Sequence, residues 1–185
     1  MSKSVTSNDL RFAVLDPQAT HLYRYEITRE GVSRMLNGVA MHDVDQFVWA
    51  IPEKQHWYLC IVYVQQRNFV LIDPFIPSRK VHNKPFVNVV LETLCLISAS
   101  YDKKFNLHSI WSLVSPKHLH KKHQLLSQPR TNGNDCGVLV CLYAWAIMTD
   151  QEMENLNDST FEEEMANARM TIGSYLYYWG DFDRD

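Results

Sequence analysis

The run Gly137 to Thr149, GVLVCLYAWAIMT, carries no charge and is apolar around its whole circumference when wound as a helix. A helix of that kind has no face to give to water, so it must be the buried central one with the chain built around it. The segment leading into it, Thr131-Asn-Gly-Asn-Asp-Cys-Gly137, is rich in turn formers and predicts a helix start at Cys136 with Asp135 as N-cap. A thiol there lies at the positive end of the helix dipole beside unpaired backbone N–H groups. That position favours the thiolate and offers donors to a developing oxyanion. A cysteine at a helix start can equally be structural, so a nucleophile needs partners elsewhere in the chain.

The middle of the chain predicts sheet. Gln46 to Ile51 is a short strand closed by Pro52, and His56 to Val64 (HWYLCIVYV) is a nearly continuous apolar run rich in β-branched and aromatic residues. Gln65-Gln-Arg-Asn68 is a polar turn, and Phe69 to Asp73 forms the next strand, stopped by Pro74. Strands apolar on both sides are sandwiched by helices. Helices are predicted from Thr28 to Asn37-Gly38, over Phe86 to Ser100, and over Thr160 to Tyr178, where Glu162 to Glu164 suit the positive end of the dipole. A short segment around Ile110 to Val114 fits a further strand. The expectation is an α+β fold, a small antiparallel or mixed sheet packed against helices, with the Cys136 helix buried.

At 185 residues, 46% hydrophobic and 21% charged, the chain has the size and composition of one globular domain spanning 1–185. The polar residues 1–9 and the acidic residues 180–185 are expected to be mobile. A net charge of -3 gives no overall field for nucleic acid or anionic membrane, and no apolar run approaches the length of a bilayer span. Four cysteines, Cys60, Cys95, Cys136 and Cys141, would allow two disulfides, but three lie inside apolar runs and no Gly-dense scaffold surrounds them. With no secretory signature, a reduced protein of the cytoplasm or nucleus is expected, and Asn157-Asp158-Ser159 is a chance glycosylation match. Cys60, Cys95 and Cys141 are expected to be inert core thiols.

A nucleophilic cysteine needs a base, and the base an orienting carboxylate. His56 begins one predicted strand and Asp73 ends the next. In a hairpin turning at Gln65 to Asn68 those two ends come to the same edge of the sheet, within hydrogen-bonding reach. Asp73 can also be read as a turn residue before Pro74.

Taken together, His56-Trp57, Asp73, and a Gln upstream of Asn132-Gly133-Asn134-Asp135-Cys136-Gly137 resemble the ubiquitin-like-protein-specific cysteine proteases, which include the SUMO proteases. The resemblance runs from Asp45 to the Cys136 helix, about two thirds of the chain. Asp73 follows His56 by 17 positions, the His-to-acid step of that clan. Ile72-Asp73-Pro74-Phe75 also looks like the acid-Pro-Phe element of the adenovirus-type endopeptidases of the same clan. The resemblance implies a papain-like architecture with Cys136 as nucleophile, His56 as general base and leaving-group acid, and Asp73 holding the imidazole tautomer. It also implies that Trp57 lines a channel passing the Gly-Gly tail of a ubiquitin-like modifier. Exclusion of side chains then selects diglycine.

Three departures stand against that pattern. The family's oxyanion-hole glutamine lies closer to the cysteine than Gln128 does, at the position of Arg130. Gln128 is preferred for the role, with Arg130, an Asn side chain or the Cys136 N–H as alternatives. The N-terminal tryptophan clamp is missing, with only Tyr23 and Tyr25 near its place, and the stretch from Asp73 to Cys136 is longer than usual.

The expected activity is therefore thiol proteolysis at the C-terminal glycine of SUMO, ubiquitin or a related modifier, on conjugates or precursors, by a monomer needing no cofactor or metal. Such an enzyme is a SUMO protease or deubiquitinase. The rivals are an adenovirus-type viral or mobile-element endopeptidase, an effector acetyltransferase of the same clan, and an inactive modifier-binding module. The segment Lys117 to His123 (KHLHKKH) has three histidines, but the intervening lysines repel a cation and it is taken as a solvated basic loop. His21, His42, His82 and His108 have no recognisable partner. Met165, Met170, Tyr175, Tyr177 and Tyr178 are taken as packing.

Overall fold

Alternate residues along the longest strands face opposite ways, and each way finds its own apolar core. A computed structural model describes residues 10–15, 44–101, 111–153 and 161–179. The strands are β1 (Phe12–Leu15), β2 (Gln46–Glu53), β3 (His56–Tyr63), β4 (Asn68–Ile72) and β5 (Ser112–Val114). The helices are α1 (Lys84–Tyr101), α2 (Lys117–His123), α3 (Cys136–Thr149) and α4 (Phe161–Trp179). The helix predicted from Thr28, both expected mobile ends, Tyr23, Tyr25, His21, His42, His108 and residues 157–159 lie outside the described residues.

The five strands lie in the order β1-β2-β3-β4-β5. The two central pairings, β2 with β3 and β3 with β4, are antiparallel, and both edges are parallel. The sheet is therefore mixed, within the α+β class expected. Cys60 and Val62 of β3 join Phe47 and Trp49 of β2 in a core closed by Val90, Leu94 and Ile97 of α1. The intervening Leu59 and Ile61 join Val48, Val70 and Ile72 in a second core against Leu139, Val140 and Tyr143 of α3. Phe161 and Met165 of α4 complete that side. Burial of each large aliphatic side chain stabilises by about 1.5–3 kcal/mol, so the sheet is held from both faces.

Four expectations are corrected. Phe12–Leu15 forms an edge strand that was not anticipated, because a four-residue run carries too little period to register. The segment Lys117–His123 is a helix rather than a solvated loop: Leu119 and His123, one turn apart, are buried, and His123 Nδ1 donates to the Gln151 carbonyl at 2.7 Å. Its charges occupy the other face, with Lys122 ion-paired to Asp150. Helix α3 is buried only on the side holding Leu139, Val140, Tyr143, Ala146 and Ile147, while Cys141 is exposed and Trp145 is 51% exposed. An all-apolar helix does not reveal in its own sequence which flank its neighbours leave open. Met165 is core, but Met170 is exposed. Among the described residues no helix is long and apolar enough to cross a membrane.

Candidate active site

His56 opens β3, and Asp73 follows the last residue of β4. The antiparallel register from Tyr63↔Asn68 to Leu59↔Ile72 returns the chain to the edge where β3 begins. There His56 Nε2 meets Asp73 Oδ1 at 2.9 Å, with both side chains mostly buried. A carboxylate oxygen only accepts, so Nε2 carries a proton and donates, and in the neutral ring Nδ1 is the nitrogen with the free lone pair. The same Oδ1 accepts the backbone N–H of Phe75 at 2.9 Å. Asp73 is thus at once the turn residue before Pro74 and the partner of the imidazole, which joins the two readings its sequence position allowed.

Two aromatic rings confine that imidazole. Phe75 stacks on it with centroids 5.0 Å apart, and Tyr58 meets it edge-on at 4.8 Å. Burial first, then the charges of Asp73, Glu53 and Cys136, push the Tyr58 phenol up to about 12. Tyr58 therefore stands within electrostatic reach of both the acid and the thiol and stays a neutral phenol. A cleft of about 850 Å³ opens here, lined among others by His56, Tyr58, Asp73, Phe75, Asn83 and Gly133.

Cys136 is the first residue of α3 and is buried. Helix α3 packs on β3, and the two elements touch at their starts: a Cβ on Gly137 would meet Trp57 Cδ1 at 3.4 Å. This contact brings the Cys136 turn against the His56 end of the hairpin. Asp135 occupies the N-cap position, and its carbonyl opens the helix by accepting the Leu139 N–H at 2.9 Å. Contrary to expectation, its side chain makes no capping bond. The carboxylate is fully buried and is engaged instead by Asn132 Nδ2 and by Arg169 of α4. A buried carboxylate costs several kcal/mol unless paired, and those two donors prevail over the local N–H groups. The first-turn N–H groups are consequently left without a side-chain cap.

Asn132 is the hub of the loop. Its Oδ1 accepts the N–H groups of Asn134 and Asp135 at 3.1 and 3.2 Å, and its Nδ2 also donates to Glu162 Oε1 at 3.0 Å. Its carbonyl accepts Gln128 Nε2 at 2.6 Å. The Gln128 N–H in turn donates to the Pro74 carbonyl at 2.7 Å, tying the loop to the residue after Asp73. Gln128 is buried with no partner on Oε1, whereas Arg130 is exposed.

All four cysteines are free. Cys60 is a core thiol whose burial pushes it well up. Cys95 and Cys141 are exposed, correcting the expectation that all three were core residues. Desolvation still raises both, with Glu92 adding to the shift at Cys95. No group of three or more His, Cys, Asp or Glu among the described residues is arranged to hold a metal.

Sequence reasoning assigned no part to Tyr58, to the Phe75 ring or to Arg169. The first two were within reach, since the hairpin register continued past Ile72 sets Phe75 opposite His56. Arg169 lies 34 positions from Asp135 and leaves no local signal.

A cysteine-bearing helix start set against a histidine-acid hairpin edge is the arrangement of a thiol protease fold. The chain belongs to the Ulp1 protease family, matching the model of its C-terminal catalytic domain over residues 8–175. Its fold is similar to that of the SUMO protease Ulp1 solved with its catalytic cysteine oxidised to a sulfonic acid (TM-score 0.60, 18% identity, 90% of this chain and 71% of that one). It is also similar to the C-terminal Ulp1 protease domain in complex with Smt3, the yeast ortholog of SUMO (TM-score 0.56, 19% identity, 78% and 60%). A third similar structure is the Ulp1-like SUMO protease catalytic domain of Chaetomium thermophilum (TM-score 0.54, 16% identity, 80% and 54%). The chain thus spans little more than half of the Chaetomium chain and less than two thirds of the Smt3-bound domain. No curated protein sequence matches it significantly.

Proposed function

We propose that this chain is a thiol protease or isopeptidase cleaving after the C-terminal glycine of a ubiquitin-like modifier, with Cys136, His56 and Asp73 as its triad. The observation that carries the reading is the 2.9 Å bond from His56 Nε2 to Asp73, which leaves Nδ1 as a base at the sheet edge abutting the Cys136 turn. In this reading Nδ1 takes the Cys136 proton and the sulfur attacks the carbonyl of the terminal glycine. The oxyanion is met by the uncapped N–H groups of the first turn of α3 and by the second hydrogen of Gln128 Nε2. Collapse to a thioester expels the amine, which receives its proton from His56, and water then hydrolyses the thioester.

The indole of Trp57 lies close against Gly137, and in this reading it narrows the approach to the thiol, which suits a tail without side chains. The Smt3 complex of a similar domain supports a modifier of the SUMO type, and ubiquitin is the other member of the class we consider. The same reading takes the chain as one catalytic domain acting as a monomer in the cytoplasm or nucleus, where thiols stay reduced.

The test is a panel of SUMO, ubiquitin and related modifiers carrying C-terminal electrophiles, with Cys136→Ala beside the unmodified chain. A covalent adduct with one modifier, absent in the variant, is expected and names the substrate. A folded protein that forms none with any of them overturns the reading in favour of an endopeptidase, a transferase or a binder.

A further inference from the structure

The fully buried carboxylate of Asp135 is covalently next to the residue that must carry negative charge during the reaction. Several charged or titratable groups lie on the elements that meet at the turn carrying that thiol. From β3 come His56 and the neutral Tyr58, and from the end of β4 comes Asp73. From its own loop comes Asp135, and from α4 come Arg169 through Asp135 and Glu162 through Asn132. Three of these are carboxylates, so the site has a surplus of negative charge around a nascent thiolate. Arg169 is the cation that α4 directs at the carboxylate nearest Cys136 in the chain. Its side chain is 46% exposed while that of Asp135 is 0% exposed, so the guanidinium is solvated at one end and faces a desolvated partner at the other.

We propose that Arg169 is a positioning residue of the nucleophile: through Asp135 it neutralises the charge beside Cys136 and locks the turn that aims the thiol. Five bonds give the locking its route. Asp135 accepts from Asn132 as well as from Arg169, and Asn132 holds the N–H groups of Asn134 and Asp135 and the amide of Gln128. One guanidinium on the C-terminal helix thereby fixes the Cys136 turn and the Gln128 amide together. The inference rests on Cys136 being the reactive thiol.

The test follows site-resolved alkylation by iodoacetamide as a function of pH, reading Cys136, Cys95 and Cys141 separately in the whole chain by peptide mass spectrometry. It needs no substrate. In the unmodified protein Cys136 reacts fastest at pH 7; if it does not, the catalytic reading fails and the inference with it. Arg169→Gln leaves Asp135 uncompensated, so Cys136 is expected to react about three- to tenfold more slowly at pH 7, with its profile displaced to higher pH and Cys95 and Cys141 unchanged. Arg169→Lys keeps the charge and restores most of the rate. The double variant Asp135→Asn/Arg169→Gln, neutral on both sides, returns the midpoint of the profile to that of the unmodified chain, while the lost lock leaves its plateau rate lower. Should Arg169→Gln alone fail to fold, the plateau rates of the Lys and double variants decide: a plateau lowered in the double variant alone supports the lock, and equal plateaus overturn it. An unmoved profile in Arg169→Gln, or a double variant with its profile still displaced, overturns the inference while leaving the triad standing.

Discussion

The ring of Phe75 lies against the imidazole of His56 with centroids 5.0 Å apart and planes 13° from parallel. Its backbone N–H meanwhile donates to the same Asp73 oxygen that accepts from that imidazole. Phe75 is 38% exposed, so its face covers the base from the cleft side. An aromatic face stabilises an adjacent imidazolium by about 0.5–1 kcal/mol at a partly exposed site. Phe75→Ala is expected to lower kcat/KM about three- to fivefold with KM little changed, and Phe75→Tyr to restore it, since the backbone bond to Asp73 survives in both. Steady-state kinetics on a modifier with a fluorogenic C-terminus decides; equal activity in all three proteins removes the ring from the mechanism.

Asp73 accepts from both His56 and Phe75, so its replacement tests orientation rather than packing. Asp73→Asn keeps the shape but offers an amide that can present a donor to Nε2, turning the tautomer so that Nδ1 holds the proton. The expected loss in kcat is about 10³-fold or more, with the melting temperature moved by only a few degrees. A loss under tenfold would mean that Asp73 acts only as the turn residue before Pro74.

Gln128 and Arg130 are the two side chains proposed for the oxyanion, and they differ in setting: Gln128 is buried and bonded to Asn132 and Pro74, while Arg130 is exposed. Removing one oxyanion donor costs about 10²- to 10³-fold in kcat. Gln128→Ala is expected to lose that much, and Arg130→Ala to stay within about twofold. The reverse order in the same kinetic assay would reassign the role.

These residues divide by how local their cause is. The meeting of His56 and Asp73 was legible because a hairpin of apolar strands with one polar turn dictates which ends come together. The Cys136 helix start was legible because turn formers run straight into an apolar stretch. The fate of the Asp135 carboxylate was not, since Asp135 looks like an ordinary N-cap until α4 brings Arg169 to it. The same holds for α2, where charge masked the one-turn spacing of Leu119 and His123, and for the open flank of α3 at Trp145. Each depends on which element packs where, and the residues themselves carry no record of that.

Trp57 and Gly137 offer a graded steric test, because a Cβ on Gly137 falls 3.4 Å from Trp57 Cδ1, at the edge of normal contact. Gly137→Ala fits with little movement and gains about 0.5–1 kcal/mol from reduced backbone freedom in a helix. Gly137→Leu must displace the indole. Thermal melts are expected to rise slightly for Ala. Cleavage of a Gly-Gly-tailed modifier should fall at least tenfold for Leu, with alkylation of Cys136 by a small reagent largely kept. If both activities fall together, the indole supports the thiol rather than the substrate path.

The alkaline limit of stability follows from three tyrosines. Tyr58 and Tyr63 are each pushed up to about 12, Tyr58 by burial and neighbouring carboxylates and Tyr63 by burial alone, and burial raises Tyr143 further still. An unfolded tyrosine ionises near pH 10. Between about pH 10 and 12 the unfolded chain therefore loses protons that the folded chain keeps, and stability must fall as pH rises. The contribution is complete below pH 10 and lost above it, and the buried thiol of Cys60 adds a loss of the same sign from a slightly lower pH. Tyr143 separates this linkage from ordinary packing, since its hydroxyl donates to the Leu126 carbonyl inside the core. Tyr143→Phe orphans that carbonyl and is expected to cost about 1–2 kcal/mol at pH 8. It also removes one titrating group, so its stability should decline less steeply above pH 10 and the two curves should converge. Urea unfolding at pH 8, 10 and 11, with the 295 nm phenolate absorbance followed in parallel, measures both. Parallel curves would show that Tyr143 ionises in the folded protein as freely as in the unfolded one.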